Sequence, residues 1–146
     1  MKRFSTVVAT LFSVAIGNAV WAAEPPGVSV RQLAGNTLSV VAFMARTPGM
    51  PGGGELTRVV IQAYLRPDGS ALVRAWDAAR DAYSVPAERH WSLTGSTFCL
   101  DSPFAGANRL CADIHIWGPR IAGVGARPYA MLDGDLQPGN ALGAGR

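Results

Sequence analysis

Lysine is almost missing from this chain: Lys2 is the only one among 146 residues. It lies in the first few residues, inside what reads as a leader, so the processed protein is expected to have none. That excludes a Schiff-base enzyme, a P-loop and an amine nucleophile together. Cysteine is nearly as scarce, with Cys99 and Cys111 alone. They lack the C-x-x-C spacing of a redox motif and no βαβ pattern surrounds them, so a structural disulfide is the expectation in an exported chain. Histidine is limited to His90 and His115. No G-x-S-x-G elbow, standard zinc spacing, heptad or internal repeat is present. Gly52-Gly53-Gly54 and Gly123-x-Gly125 do not join a strand to a helix, so they give no phosphate cradle.

Charge of one sign is also missing. The chain has 13 basic and 10 acidic residues, and Lys2 and Arg3 belong to the leader, which leaves 11 arginines against those 10 acids. Such a balance gives no reason to expect nucleic acid or an anionic membrane as partner.

The leader is the best-defined sequence feature. Lys2-Arg3 is a positive n-region, Phe4 to Gly17 is apolar, and Asn18 to Ala23 offers small residues with Val20 and Ala22 at cleavage spacing. The pattern predicts a signal peptide over 1–22, since the apolar core is too short for a membrane span and no stop-transfer pattern follows. The processed chain would be periplasmic or secreted, with no integral membrane span. Glu24-Pro25-Pro26 opens a spacer over 23–36, and 37–136 is expected to form one domain followed by a free tail over 137–146.

Within that domain the chain reads as strands separated by Gly, Pro and Asp. Thr37 to Met44 is β-branched and apolar. Arg58 to Leu65 alternates, with Val59, Ile61, Ala63 and Leu65 on one face and Arg58, Val60, Gln62 and Tyr64 on the other. Pro67-Asp68-Gly69-Ser70 predicts a tight turn into Ala71 to Trp76. Arg89 to Leu93 and Thr97 to Leu100 are short strands. Leu110 to Trp117 places Leu110, Ala112, Ile114 and Ile116 opposite Cys111, Asp113, His115 and Trp117. Gly123 to Ala126 and Tyr129 to Leu132 follow, with a turn expected at Asp133-Gly134-Asp135. Trp76 to Tyr83 has helical potential, with a single turn or charged loop as its rival. The class is all-β: a small antiparallel barrel of about seven or eight strands, with a β-sandwich as alternative. Closure is preferred because it removes exposed edges.

Candidate chemistry is sparse. Asp113 and His115 share a face and could make a metal site only with the distant His90. Asp133 with Asp135, and Asp77 with Asp81, read as turn chemistry and a solvated face. No catalytic, cofactor-binding or metal-ligating residue is therefore assigned, and no cofactor is expected. Tyr64, Trp76, Trp91, Trp117 and Tyr129 are the candidates to line a ligand cavity in a barrel mouth.

Leu33-Ala34-Gly35-Asn36-Thr37, Tyr64-Leu65-Arg66-Pro67-Asp68-Gly69, Trp91, Cys99 with Cys111, and Pro138-Gly139-Asn140-Ala141-Leu142 occur in that order. This set resembles an uncharacterised family of small exported proteobacterial proteins with a lipocalin- or avidin-like β-barrel. His90 stands where the family has glycine, and residues 45–54 look like an inserted loop. The resemblance implies a barrel and brings no catalytic residues. The expected function is a non-enzymatic exported barrel that binds a small apolar or aromatic ligand or an envelope protein. The alternative is an inhibitor of an exported lysozyme or protease acting through the Gly/Pro loop at 47–54, and a small hydrolase ranks below it.

Overall fold

Alternating β-branched and polar residues give strands here because each can bury one face while the other meets water. A computed structural model describes residues 27–45, 56–103, 109–125 and 129–143. The expected signal peptide and the loop at 47–54 lie outside the described residues. After one helical turn, α1 (Val30–Leu33), the strands are β1 (Asn36–Ala45), β2 (Leu56–Leu65), β3 (Ser70–Asp77), β4 (Ala82–Tyr83), β5 (Ala87–Thr94), β6 (Thr97–Leu100), β7 (Leu110–Trp117), β8 (Arg120–Gly125) and β9 (Tyr129–Pro138).

All pairings are antiparallel. Eight strands follow one another around the sheet in the order β1-β2-β3-β5-β6-β7-β8-β9, and β9 pairs back onto β1. The result is a closed up-and-down barrel, with β4 appended to the end of β3. Closure leaves no long unpaired edge on the eight barrel strands. The two inward faces expected from alternation meet in one core, where Ile61, Ala63, Leu65, Ala112 and Ile114 are buried and Val59, Leu110 and Ile116 pack against them.

Antiparallel order sorts the connections to two ends. One end carries the turns at 66–69, 95–96 and 118–119 together with α1 and the segment after Pro138. Leu33 plugs this end: it is fully buried within the barrel core, and the Gly35 N–H donates to the Leu65 carbonyl at 2.7 Å. The spacer expected over 23–36 is therefore part of the fold from α1 onward. Four residues are too few to show helical periodicity, but Ser29-x-x-Gln32 is a capping-box pattern, and the Ser29 N–H donates to Gln32 Oε1 at 2.8 Å.

Three other expectations change. Asp133-Gly134-Asp135 is not a turn but the middle of β9, with Gly134 opposite Val40 of β1 and Ile121 of β8. A Cβ at Gly134 would strike the Ser39 carbonyl oxygen, so glycine is present for a close strand approach rather than for a reversal. The tail from Gln137 is not free. β9 runs to Pro138, and the buried Thr37 hydroxyl donates to the Gly139 carbonyl at 2.7 Å and accepts from the Ala141 N–H at 2.9 Å. Trp76 to Tyr83 forms no helix: β3 ends at Asp77, the chain turns, and β4 returns.

The turn at Pro67-Asp68-Gly69-Ser70 is as expected, with Gly69 at φ 84°. Asp68 Oδ1 accepts from the Ser70 hydroxyl at 2.7 Å and the Ser70 N–H at 2.9 Å. The hydroxyl bond, and then the backbone bond, hold the Asp68 carboxyl below its ordinary range.

Candidate functional site

The end opposite Leu33 collects the connections β1–β2, β3–β5, β6–β7 and β8–β9. A cavity of about 40 Å³ runs toward it from the middle of the barrel. It is lined by Leu38, Val40 and Ala42 of β1, Ile61 of β2, Phe98 and Leu100 of β6, Leu110, Cys111 and Ala112 of β7, Gly125 of β8, and Met131 and Leu132 of β9. No charged or hydrogen-bonding side chain is among these residues. The site can therefore accept apolar groups, and among the described residues its lining has no side chain that could move a proton or bind a cation.

The disulfide belongs to this wall. Cys99 and Cys111 face each other directly across β6 and β7, with Cα atoms 4.1 Å apart, and they are bridged. Cys111 lines the cavity, and so do its neighbours Leu110 and Ala112 and the residues on either side of Cys99. By strand parity the bridge lies on the outer face of this wall, where it joins β6, a strand of only 4 residues, to β7 behind the lining residues. A bonded pair is consistent with an oxidising, exported environment.

Of the five aromatic residues expected to line a cavity, the four whose side chains are described do not do so. Tyr64 is on the outer face of β2, between the inward Ala63 and Leu65. Trp76 is on the outer face of β3, edge-on to Tyr83 with ring centroids 5.1 Å apart, and the Arg74 guanidinium is 4.4 Å from the Tyr83 ring centre. Trp117 is 54% exposed at the end of β7. Trp91 alone points inward. Its indole N–H donates to the Arg66 carbonyl at 2.9 Å, and its ring centre is 6.2 Å from that of Phe98, so it packs against a lining residue without lining the cavity. Tyr129 begins β9, and its side chain is outside what is described. The reason is strand parity: Tyr64, Trp76 and Trp117 fall on positions that alternate with the inward ones, and Trp91 and Phe98 are the rings that share the interior with mostly aliphatic residues. The signal that could have found the lining was the set of small inward residues, Ala42, Ala112 and Gly125, near strand ends.

The polar candidates are dispersed over the outer surface. His115 and Asp113 face outward on β7, and Asp113 Oδ1 accepts from the Thr97 hydroxyl. His90 stands opposite Asp101, whose carboxylate lies 3.4 Å from its Nδ1 and 3.2 Å from Arg109 Nε. The row of His90 thus meets β7 near Arg109, and His115 is six residues further on, about 20 Å at the usual strand rise. The strands do not bring the two histidines together. Asp133 and Asp135 both face Arg120, at 2.9 and 3.6 Å, as an exposed ion-pair cluster on β8 and β9. Asp77 accepts from the Ala79 N–H at 3.0 Å and pairs with Arg80 at 3.5 Å, which is turn chemistry. Among the described residues no three metal-binding side chains form a group, and no helix is long and apolar enough to cross a membrane.

No family model, curated protein or solved structure matches the chain, so the barrel and its apolar cavity stand as the features from which function is argued.

Proposed function

We propose that the protein is an exported, non-enzymatic β-barrel that binds a small apolar ligand in the cavity opposite Leu33. The observation that carries this reading is the apolar side-chain lining of that cavity among the described residues, in a barrel whose other end is plugged by Leu33. A barrel built only to be stable gains from filling such a space, because each lining group forgoes packing contacts. The leader over residues 1–22 and the disulfide support export. The non-enzymatic part rests on position: His115 and Asp113 face solvent, on the side of β7 opposite the cavity.

A second reading, binding to an envelope protein, is supported by the outer surface. Val124 and Met131 are paired neighbours on β8 and β9, 70% and 51% exposed. Trp76 and Trp117 are exposed elsewhere on the outer surface, and exposed apolar side chains of this size suit protein contacts.

Native mass spectrometry of the protein purified after export tests the ligand reading. An apolar compound released by organic extraction, and lost from an Ala112→Phe variant that remains folded, is the expected result. A protein that carries no compound and takes up none from an envelope lipid extract, yet retains an envelope protein on pull-down, would move the function to the outer surface.

A further inference from the structure

We infer that the ligand enters this cavity as the end of a single unbranched alkyl chain, with the rest of the molecule outside; this rests on the cavity being the binding site. Size decides the class. An apolar cavity that holds a benzene ring measures about 150 Å³, and pockets for drug-sized ligands about 300–1,000 Å³. The cavity here is about 40 Å³. On the same kind of measure one water needs about 10–15 Å³, so the space admits roughly three carbon-sized groups in line. A ring or a branched body does not fit, and a charged or hydrogen-bonding tip would find no partner on the lining.

Shape agrees with size. Phe98, Ala112 and Gly125 stand opposite one another across β6, β7 and β8, so one bulky ring and two small residues share a row of the wall, with Leu38, Val40 and Ile61 also on the lining. A space bounded this way receives a narrow tip rather than a broad body. Beside it, Met131 is both a lining residue and half exposed, and its neighbour across the β8–β9 ladder is the exposed Val124. Among the described residues, the remainder of a chain leaving the cavity beside Met131 meets apolar surface, while the Asp101–Arg109 ion pair adjoins the lining at Leu100 and Leu110.

The test is a methyl-resolved NMR titration of the exported protein with n-alkanols of increasing length, alongside benzyl alcohol and cyclohexylmethanol as ring-bearing probes. Linear alkanols should shift the Leu38, Val40 and Ile61 methyls. Affinity should improve about four-fold per added methylene over the first roughly three carbons, then level off. The ring compounds should leave these methyls unmoved. Ala42→Leu should abolish the shifts without lowering the melting temperature, because it fills existing space, and Ala112→Val provides the same test should Ala42→Leu fail to fold. Decanoate in solution and phospholipid bicelles then separate a free acyl chain from a membrane lipid as the source. Ring compounds that bind as tightly as linear ones would overturn the alkyl assignment and leave the ligand reading standing. Absence of binding by both classes would overturn the two together.

Discussion

Gly134→Ala is the substitution that most directly probes how this barrel closes. Gly134 lies in the middle of β9, between β1 and β8, and faces inward. An added Cβ would overlap the Ser39 carbonyl oxygen and stand 2.7 Å from the Val40 Cα and 2.9 Å from the Ser39 carbonyl carbon. All three are backbone atoms, so no rotamer change relieves the contact and β1 must move away from β9. Overpacking of this sort costs about 1–3 kcal/mol, with the upper part of that range expected against backbone. Replacing a strand glycine by alanine returns about 0.5–1 kcal/mol through the unfolded chain. The net loss is therefore about 2 kcal/mol. At about 4 °C per kcal/mol for a domain of this size, the melting temperature should fall by about 8 °C. Circular dichroism melts of the oxidised protein measure it. Gly143→Ala, where nothing lies within 4 Å, is the control and should be neutral. Gly123→Ala should fall between them, because the Ile114 Cγ2 at 2.9 Å can rotate away and the Asp113 carbonyl oxygen at 2.9 Å cannot. A Gly134→Ala protein that melts with the parent would refute the close approach of β1 and β9 and, with it, this account of closure.

Ile61→Asp and Ile114→Asp each place a carboxylate in the fully apolar core and should cost several kcal/mol in urea titrations, whereas Arg58→Asp on the exposed face should stay within about 0.5 kcal/mol. Replacing both Cys99 and Cys111 by alanine opens a loop with a sequence separation of 12 and should lower stability by about 3 kcal/mol, and thiol titration of the denatured, unreduced parent should find no free thiol. The Asp68 carboxyl is lowered by its bonds from Ser70, so it favours the folded state above its ordinary range and loses that contribution as the pH falls through its folded value. An NMR titration should place Asp68 below the ordinary carboxylate range, and Ser70→Ala should move it back up.

The strands were legible because their signals are local. Thr97–Leu100 and Leu110–Trp117 have the bounds that alternation predicts, and Leu56–Leu65 differs by two residues at one end. What was not legible depends on residues far away in the chain. Asp133-Gly134-Asp135 has the composition of a turn, but Gly134 is required by the approach of Ser39 and Val40 some 95 residues earlier. The segment after Pro138 has no local structure signal, and it is held by the hydroxyl of Thr37, 102 residues from Gly139. Both features exist only once β1 and β9 are paired, so no window of sequence contains them.

The site shows a different limit. Alternation already put Tyr64 on the face opposite Ile61, Ala63 and Leu65, and Trp117 on the face opposite Ala112 and Ile114. Expecting those rings to line a cavity weighed residue type above strand parity, and parity prevailed because it is imposed by backbone geometry at every position. Locating the cavity needed a further quantity, the summed volume of inward side chains at one level of the barrel. Near the plugged end that level includes Leu33, Leu65 and Trp91; toward the other end it includes Ala42, Ala112 and Gly125. Each small residue is unremarkable within its own strand. Only the registers that close the barrel set them around one space, and the same registers place the Cys99–Cys111 bridge in its wall. An apolar void is a stability loss that one added methyl group could begin to recover, so its position, away from the plug and beside the exposed Met131, is the observation on which the proposed binding role rests.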